Sequence, residues 1–294
     1  MTNKNQIASE VKYNSSTSTL AHETRKNAHW FSILVIAALA VTAAFTSCDE
    51  KSEKEDPNQI KLLKIITECF RNYDNLDYNS GCYDKYKFEY DEQNRITKMS
   101  EYYFDGSLYY TKTFTYAGDD LVKVLHSSSS GHVSTYEYTK SGNTITEKDT
   151  YDGDVKISII ELNIDGIPVK RTREDEYGNT YVETYGYQDG NLTGYTMTAT
   201  SKSGHTDVDS ETYQYDNQKG ALYHCKTPKW YLILELNYFG VKNNRTEEGW
   251  IRHSAKYTYE IDGVGFPAKR TCKSINGMSA WVSVWVEEFN YITK

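Results

Sequence analysis

The chain has 294 residues, a formal net charge of −8, a mean hydropathy of −0.71 and 27 tyrosines. This length suits one large domain, and the ordinary charged fraction with 14% aromatic residues excludes low-complexity disorder, collagen, a coiled coil and a multi-span helical membrane protein. Because tyrosine and threonine suit a pleated, half-buried surface, the composition favours β-structure.

The N-terminal segment has the pattern of an export signal. Residues 30–45 are uncharged and mostly apolar, follow Arg25 and Lys26, and precede small residues and Cys48. The stretch is shorter than the roughly 20 residues of a spanning helix, and its order of regions is typical of a secretory signal. A cysteine at the cleavage edge resembles a bacterial lipoprotein signal. We therefore predict a signal peptide over residues 1–47, lipidation of Cys48 and anchoring to the outer membrane. An N-terminal anchor helix with an incidental cysteine is the alternative.

Residues 48–58 are charged and almost free of apolar side chains, which predicts a flexible acidic tether. Such acid-rich tethers resemble the export signals of Bacteroides-type surface lipoproteins, so exposure at the cell surface is compatible with the sequence. Removal of residues 1–47 leaves 29 basic and 39 acidic residues, a net charge of −10. A body this acidic argues against nucleic acid and anionic lipid headgroups as partners.

Residues 59–294 are predicted to form a single β-repeat domain. The first apolar stretch, residues 60–66, is predicted to be a strand, with a helix as the alternative. Turn signals of the Asp-Gly and Asn-Gly type then recur, mostly 11 to 14 residues apart. Between them lie Tyr-x-Tyr dyads, at positions 136–138, 185–187, 213–215 and 257–259. Period-two alternation between turns predicts an antiparallel β-meander.

The closest internal match joins residues 164–172 to residues 261–271, which share Asp-Gly and then Pro-x-Lys-Arg-Thr. Each repeat unit is thus a hairpin. About 14–16 strands are too many for a flat open sheet, so a curled single sheet or a barrel-like closure is expected. Residues 219–250 have no dyad and a longer apolar run, which predicts an irregular insertion that carries function or caps the sheet.

The segment 88–98, FEYDEQNRITK, resembles the tyrosine-aspartate repeat of Rhs-type proteins. The chain from about residue 60 to 291 resembles a family of Bacteroides-type lipoproteins of unknown function with a porin-like fold. The match lies in the lipoprotein start, the Tyr-x-Tyr-Asp units and the segments 227–230 and 242–244. The resemblance implies a porin-like barrel and no particular activity.

A membrane pore is the alternative that this fold raises. Such a barrel needs an outward apolar band about 25 Å tall on every strand. The non-aromatic face here is instead polar, at Lys85, Lys87 and Glu89 and at Thr111, Thr113 and Thr115. We therefore expect a soluble barrel.

No nucleophile elbow, P-loop, HExxH or GxGxxG motif is present, so we predict neither an enzyme nor a cofactor. The acidic segments 149–154 and 205–209 lack the spacing of a calcium loop, and no metal site is predicted. Cys69, Cys82, Cys225 and Cys272 allow two disulfides in three pairings, or free buried thiols.

The candidate ligand-binding residues are aromatic. They lie in the insertion or the last repeat: Trp230, Tyr231, Trp250, Trp281 and Trp285. Exposed rings on a β-face can stack on sugars or peptides, whereas buried ones would seal the sheet or pack under the insertion. We predict a membrane-anchored, non-catalytic binding module for a glycan or a protein at the cell surface. The alternatives are a structural or assembly component of an envelope complex and, with no supporting motif, a hydrolase.

Overall fold

The structure, a computed structural model, describes residues 56, 58–71, 82–250, 253–276 and 282–294. The strands are β1 Lys61–Arg71, β2 Cys82–Tyr90, β3 Ile96–Tyr102, β4 Leu108–Ala117, β5 Asp120–Ser128, β6 Val133–Ser141, β7 Thr144–Tyr151, β8 Asp154–Leu162, β9 Pro168–Glu174, β10 Thr180–Gln188, β11 Asn191–Thr200, β12 Thr206–Lys219, β13 Asn243–Trp250, β14 His253–Ile261, β15 Pro267–Asn276 and β16 Val282–Thr293. Between β12 and β13 lie helix α1, Lys229–Leu236, and a 3-10 turn, Asn237–Phe239.

The strands form a closed antiparallel barrel. Each strand pairs with the next in sequence, and β1 pairs with β16 from Lys61 opposite Thr293 to Arg71 opposite Val284. The predicted all-β meander is confirmed, and the sheet closes. The strand prediction for the first apolar stretch is confirmed in β1, and the helix alternative is wrong. The predicted signal peptide and Cys48 lie outside the described residues.

The Tyr-x-Tyr dyads point into the barrel and secure its hairpins. In two of them, and in three matching Phe-x-Tyr pairs, the second residue is a tyrosine that donates its hydroxyl to a carbonyl near the start of the preceding strand, at O···O distances of 2.6 to 2.9 Å. The pairs are Tyr90 to Leu63, Tyr116 to Ile96, Tyr187 to Pro168, Tyr259 to Arg245 and Tyr291 to Pro267. Tyrosine suits this place because its ring is apolar and its tip forms hydrogen bonds.

Residues 220–242, here called the plug, fold into one end of the barrel. Its backbone is tied to the β2–β3 turn, where the Lys226 amide donates to the Asn94 carbonyl at 2.9 Å. The main hydrophobic core combines wall residues with plug residues, including Phe88, Phe114 and Tyr138 from the wall and Trp230, Tyr231, Leu232, Leu236 and Phe239 from the plug. An eight-residue helix is marginal alone, so this packing stabilises α1.

The plug is shorter than the predicted insertion. Lys219 ends β12, and Asn243–Trp250 forms strand β13, which pairs with both β12 and β14. The sequence conceals this strand because Arg245 and Glu248, not a tyrosine dyad, occupy its inward positions. The two ends of the plug cross closely at Gly220 and Gly240. A Cβ atom on Gly220 would collide with the Gly240 carbonyl, and Gly240 has a φ of +79°.

The outer face is rich in threonine and in cross-strand ion pairs. Lys148 lies 3.1 Å from Glu137, and Lys170 lies 2.9 Å from Glu161. An exposed apolar stripe runs along β8, at Val155, Ile157 and Ile159. Lys85, expected on this face, instead pairs with the buried Glu68, because the β1–β2 register shifts between Ile66 and Thr67. Within the described ranges no helix is long and apolar enough to cross a membrane.

One of the allowed disulfides forms. Cys69 and Cys82 are directly opposed in the β1–β2 ladder and are bonded to each other. Cys225 and Cys272 are free thiols, and Cys272 is fully buried in the second, smaller core with Ala255 and Tyr257. The structure thus combines both alternatives, a disulfide for one pair and free thiols, of which Cys272 is buried, for the other.

Mild acid is expected to weaken the attachment of the plug to β1. The His224 Nδ1 atom accepts a hydrogen bond from the Lys61 amide at 3.0 Å, and burial together with the Lys219 charge lowers the pKa of His224. Because the unfolded chain then binds the proton more readily, stability falls as the pH drops through about 6.5, the unfolded value. His224→Gln should reduce this pH dependence, by about 1 kcal/mol at most, in urea titrations.

Burial also lowers the pKa of His126, so wild type and His224→Gln are compared over the same pH series. His205→Gln, on an exposed turn, is the control and should leave the wild-type slope unchanged. Equal slopes of unfolding free energy against pH for wild type and His224→Gln would show that the hydrogen bond from Lys61 to His224 does not contribute to the pH dependence of stability.

Candidate functional site

A cavity of about 340 Å³ lies in the barrel lumen against the plug. Its wall and floor come from β9 to β13 and from the plug: Arg171, Tyr185, Leu192, Tyr195, Glu211, Tyr213 and Arg245 from the strands, and Ile233, Leu234, Glu235, Asn237 and Tyr238 from the plug. We call this space the lumenal cavity. Its volume falls within the roughly 300–1,000 Å³ typical of small-molecule sites.

The strand register places the wall residues side by side. Tyr185 is opposite Tyr195 across β10 and β11, and Tyr195 is opposite Glu211 across β11 and β12. Directly opposed residues point to the same face of a sheet. The rings of Tyr185 and Tyr195 therefore meet, with centroids 5.8 Å apart. The result is a continuous strip of aromatic and carboxylate groups on the lumen wall.

Two arginines of the cavity are held by ion pairs. Arg171 pairs with the buried Glu147, and the Arg245 Nη1 atom donates to Glu248 at 2.8 Å. The Arg245 guanidinium also lies over the Tyr213 ring, 4.4 Å from its centroid. As far as the structure describes the chain, the Nε atoms of both arginines are buried without a hydrogen-bond partner. Each of these fixed guanidinium groups thus has one buried N–H donor without a protein partner.

The tyrosines of the cavity remain neutral donors. Burial, assisted by the carboxylates of Glu183 and Glu211, raises the pKa of Tyr195 to about 12. Burial likewise raises the pKa of Tyr185 and of Tyr213. Tyr185 donates to Glu183 and Tyr213 to Glu211. No described residue forms a hydrogen bond with the Tyr195 hydroxyl, which is therefore available to a ligand.

The aromatic residues predicted to bind a ligand differ in their exposure. Trp230 and Tyr231 belong to α1 and are only 6% and 1% exposed, so they pack under the insertion and present no ring face to a ligand. Trp285 is half-buried against the second core. Trp250, on β13 at the end away from the plug, is 48% exposed, and its indole N–H donates to Asp209 at 2.9 Å. Trp281 lies outside the described residues.

The cavity tyrosines were not predicted as site residues. Tyr185 and Tyr213 belong to the Tyr-x-Tyr dyads that predict the β-meander. The only sequence signal for Tyr195 is its position on β11 opposite such a dyad. In the residues that the structure describes, no three His, Cys, Asp or Glu side chains are grouped to hold a metal ion. The site therefore consists of aromatic, hydroxyl, guanidinium and carboxylate groups.

Comparison with known proteins finds no matching family model and no matching curated protein. Among solved structures, the chain is similar to a porin-like protein from Bacteroides uniformis ATCC 8492, with 13% identity, a TM-score of 0.48, and coverage of 79% of this chain and 96% of that one. It is also similar to a porin-like protein from Bacteroides vulgatus ATCC 8482, with 11% identity, a TM-score of 0.38, and coverage of 79% and 99%.

Proposed function

We propose that the protein is a non-catalytic carbohydrate-binding protein of the cell envelope and that its ligand occupies the lumenal cavity. The unpartnered Tyr195 hydroxyl, set in an aromatic and charged cavity, carries the proposal. A sugar presents both donors and acceptors, and the cavity is lined by neutral hydroxyls, carboxylates and two guanidinium groups. Sugars also have apolar faces, which the paired rings of Tyr185 and Tyr195 can cover.

Several features favour binding over conduction. The plug occupies one end of the barrel and supplies much of the core. The outer face carries threonines and Lys–Glu pairs in place of a continuous apolar band, as expected for a barrel surrounded by water. Solvent reaches the lumen wall at the opposite end, where Trp250 is exposed. We infer a soluble cup that takes its ligand from that end.

The envelope location rests on the N-terminal sequence. A signal of the lipoprotein type before Cys48, followed by an acidic tether, supports a lipid anchor that holds the barrel at the outer membrane. Cys48→Ala should move the protein from the membrane fraction to the soluble fraction of fractionated cells. Cys225→Ala is the control and should stay in the membrane fraction. Unchanged retention of Cys48→Ala would refute the lipid anchor.

The carbohydrate proposal is tested with Tyr195. The full-length chain is titrated calorimetrically with the cello-, malto-, xylo- and chito-oligosaccharide series. Tyr195→Ala removes both the hydroxyl and the stacking surface, so we expect binding at least about tenfold weaker, equivalent to about 1.4 kcal/mol. Tyr195→Phe keeps the ring and should lie between wild type and Tyr195→Ala.

Phe104→Ala provides the matched control, because Phe104 is an exposed aromatic residue on the β3–β4 turn, away from the lumenal cavity. The sugar affinity of Phe104→Ala should equal that of wild type. The proposal is wrong if no sugar binds, or if Tyr195→Ala binds as tightly as wild type.

A further inference from the structure

A second, polar space opens through the barrel wall between β11 and β12. The ladder between these strands ends at Gly194 opposite Thr212, although β12 continues to Lys219 along β13. The two strands separate beyond this point and leave a space of about 540 Å³. We call it the lateral cleft.

The lateral cleft is framed by specific contacts at its plug end. The Asn191 side-chain amide donates to the Asn243 side chain at 2.9 Å, and the Asn243 backbone amide donates back to Asn191 at 3.2 Å. Lys242 of the plug donates to the Asp189 carbonyl in the β10–β11 turn. These contacts join the start of β11 and the turn before it to Lys242 and the start of β13 across the gap. The cleft is thus closed at both ends. The β11–β12 backbone hydrogen bonds close one end, and the hydrogen bonds between Asn191 and Asn243 close the other.

The cleft connects the outer face to the lumen. Side chains alternate along β12, so Gln214 faces outward while Tyr213 and Tyr215 face inward, and all three line the cleft. Tyr213 also lines the lumenal cavity. Its hydroxyl bonds to Glu211 and its ring lies under Arg245. The Tyr213 ring is therefore the shared wall between the two spaces.

We propose that the lateral cleft is a second part of the carbohydrate site, so that the ligand is a linear oligosaccharide that runs from the lumenal cavity through the barrel wall. This inference rests on the proposed function. The plug blocks the axial route at its own end of the barrel, and the cleft is the opening next to Tyr213. Side-chain amides and carboxylates line it, including Gln188, Asp189, Gln214 and Asn217. Such groups pair with sugar hydroxyls as donors and acceptors.

An extended peptide fits the cleft less well. Strand addition needs a regular edge of backbone groups. The β10–β11 register shifts where Thr193 of β11 is left unpaired, and the β12–β13 register shifts on β12 between Tyr215 and Lys219. Such bulges interrupt the regular edge on both sides of the gap. The lining therefore favours recognition through side chains.

Chain-length dependence tests the inference. The full-length chain is titrated with cello-, malto-, xylo- and chito-oligosaccharides from the monosaccharide to the heptasaccharide. We expect affinity to rise by about tenfold or more with length and then level off once both spaces are filled. Gln214→Trp fills the cleft from its exposed rim. It should abolish this gain and leave the affinity for the shortest bound sugar within about twofold of wild type.

Gln93→Trp is the matched control, since Gln93 is an exposed glutamine on the β2–β3 turn, distant from β11 and β12 in the barrel order. Gln93→Trp should retain the full increase in affinity with oligosaccharide length. If Gln214→Trp does not fold, Gln214→Ala combined with Asn217→Ala should still reduce the gain.

The outcomes separate the two proposals. Binding that is equally tight for all lengths, or a gain with length that survives in Gln214→Trp and in the double alanine variant, overturns the lateral site and leaves the lumenal site intact. Absence of binding for every sugar, or binding of extended peptides alone, overturns both.

Discussion

Arg270→Ala is expected to lower the free energy of unfolding by about 3–5 kcal/mol. Arg270 and Glu287 are an ion pair on adjacent strands, 1% and 0% exposed. The Arg270 Nη1 atom also donates to the Tyr238 carbonyl of the plug at 2.8 Å, and the guanidinium lies 4.0 Å from the Tyr238 ring centroid. The variant leaves Glu287 as a buried charge without its partner and detaches the plug from the wall.

Urea denaturation at neutral pH measures this loss. Lys148→Ala is the control, because it breaks an exposed ion pair with Glu137 that is worth about 1 kcal/mol or less. The double variant Arg270→Ala/Glu287→Ala should be more stable than the sum of the two single losses, since it leaves no unpaired charge. A loss below about 1 kcal/mol for Arg270→Ala would mean that water or rearrangement solvates Glu287.

Tyr231→Ala is expected to cost about 3–5 kcal/mol of stability, as for other large aromatic side chains removed from a core. Its ring lies edge-on to Phe114, with centroids 5.4 Å apart, and to Tyr138 at 6.3 Å. The variant leaves a cavity between the plug and the wall. Thermal and urea denaturation of the full-length chain provide the measurement, and Tyr231→Phe, which keeps the ring, should retain most of the stability.

Trp250→Ala provides the opposite comparison. This side chain is half-exposed, so its removal should change stability by about 1 kcal/mol or less and weaken sugar binding. The pair of variants separates the aromatic residues that fill the plug from those that face the lumen. A Tyr231→Ala protein with unchanged stability and no sugar binding would show that the ring contacts the ligand and does not support the core.

The internal repeat shows which structural features a local sequence pattern can predict. The shared Lys-Arg-Thr segments place Arg171 on β9 and Arg270 on β15, and both arginines point inward and pair with a buried glutamate. The repeat predicts that the two positions are equivalent. It does not identify the partners, Glu147 and Glu287, because strand register brings them close.

Period-two alternation and turn chemistry are enough to predict the all-β class, the meander order and the shared face of the tyrosine dyads. The pairing of β1 with β16, the burial of Trp230 and Tyr231, and the place of Tyr195 in a cavity emerge from the folded barrel alone. The reason is physical: alternation assigns each side chain to a face, whereas closure, plug packing and the separation of β11 from β12 depend on contacts between residues distant in the chain.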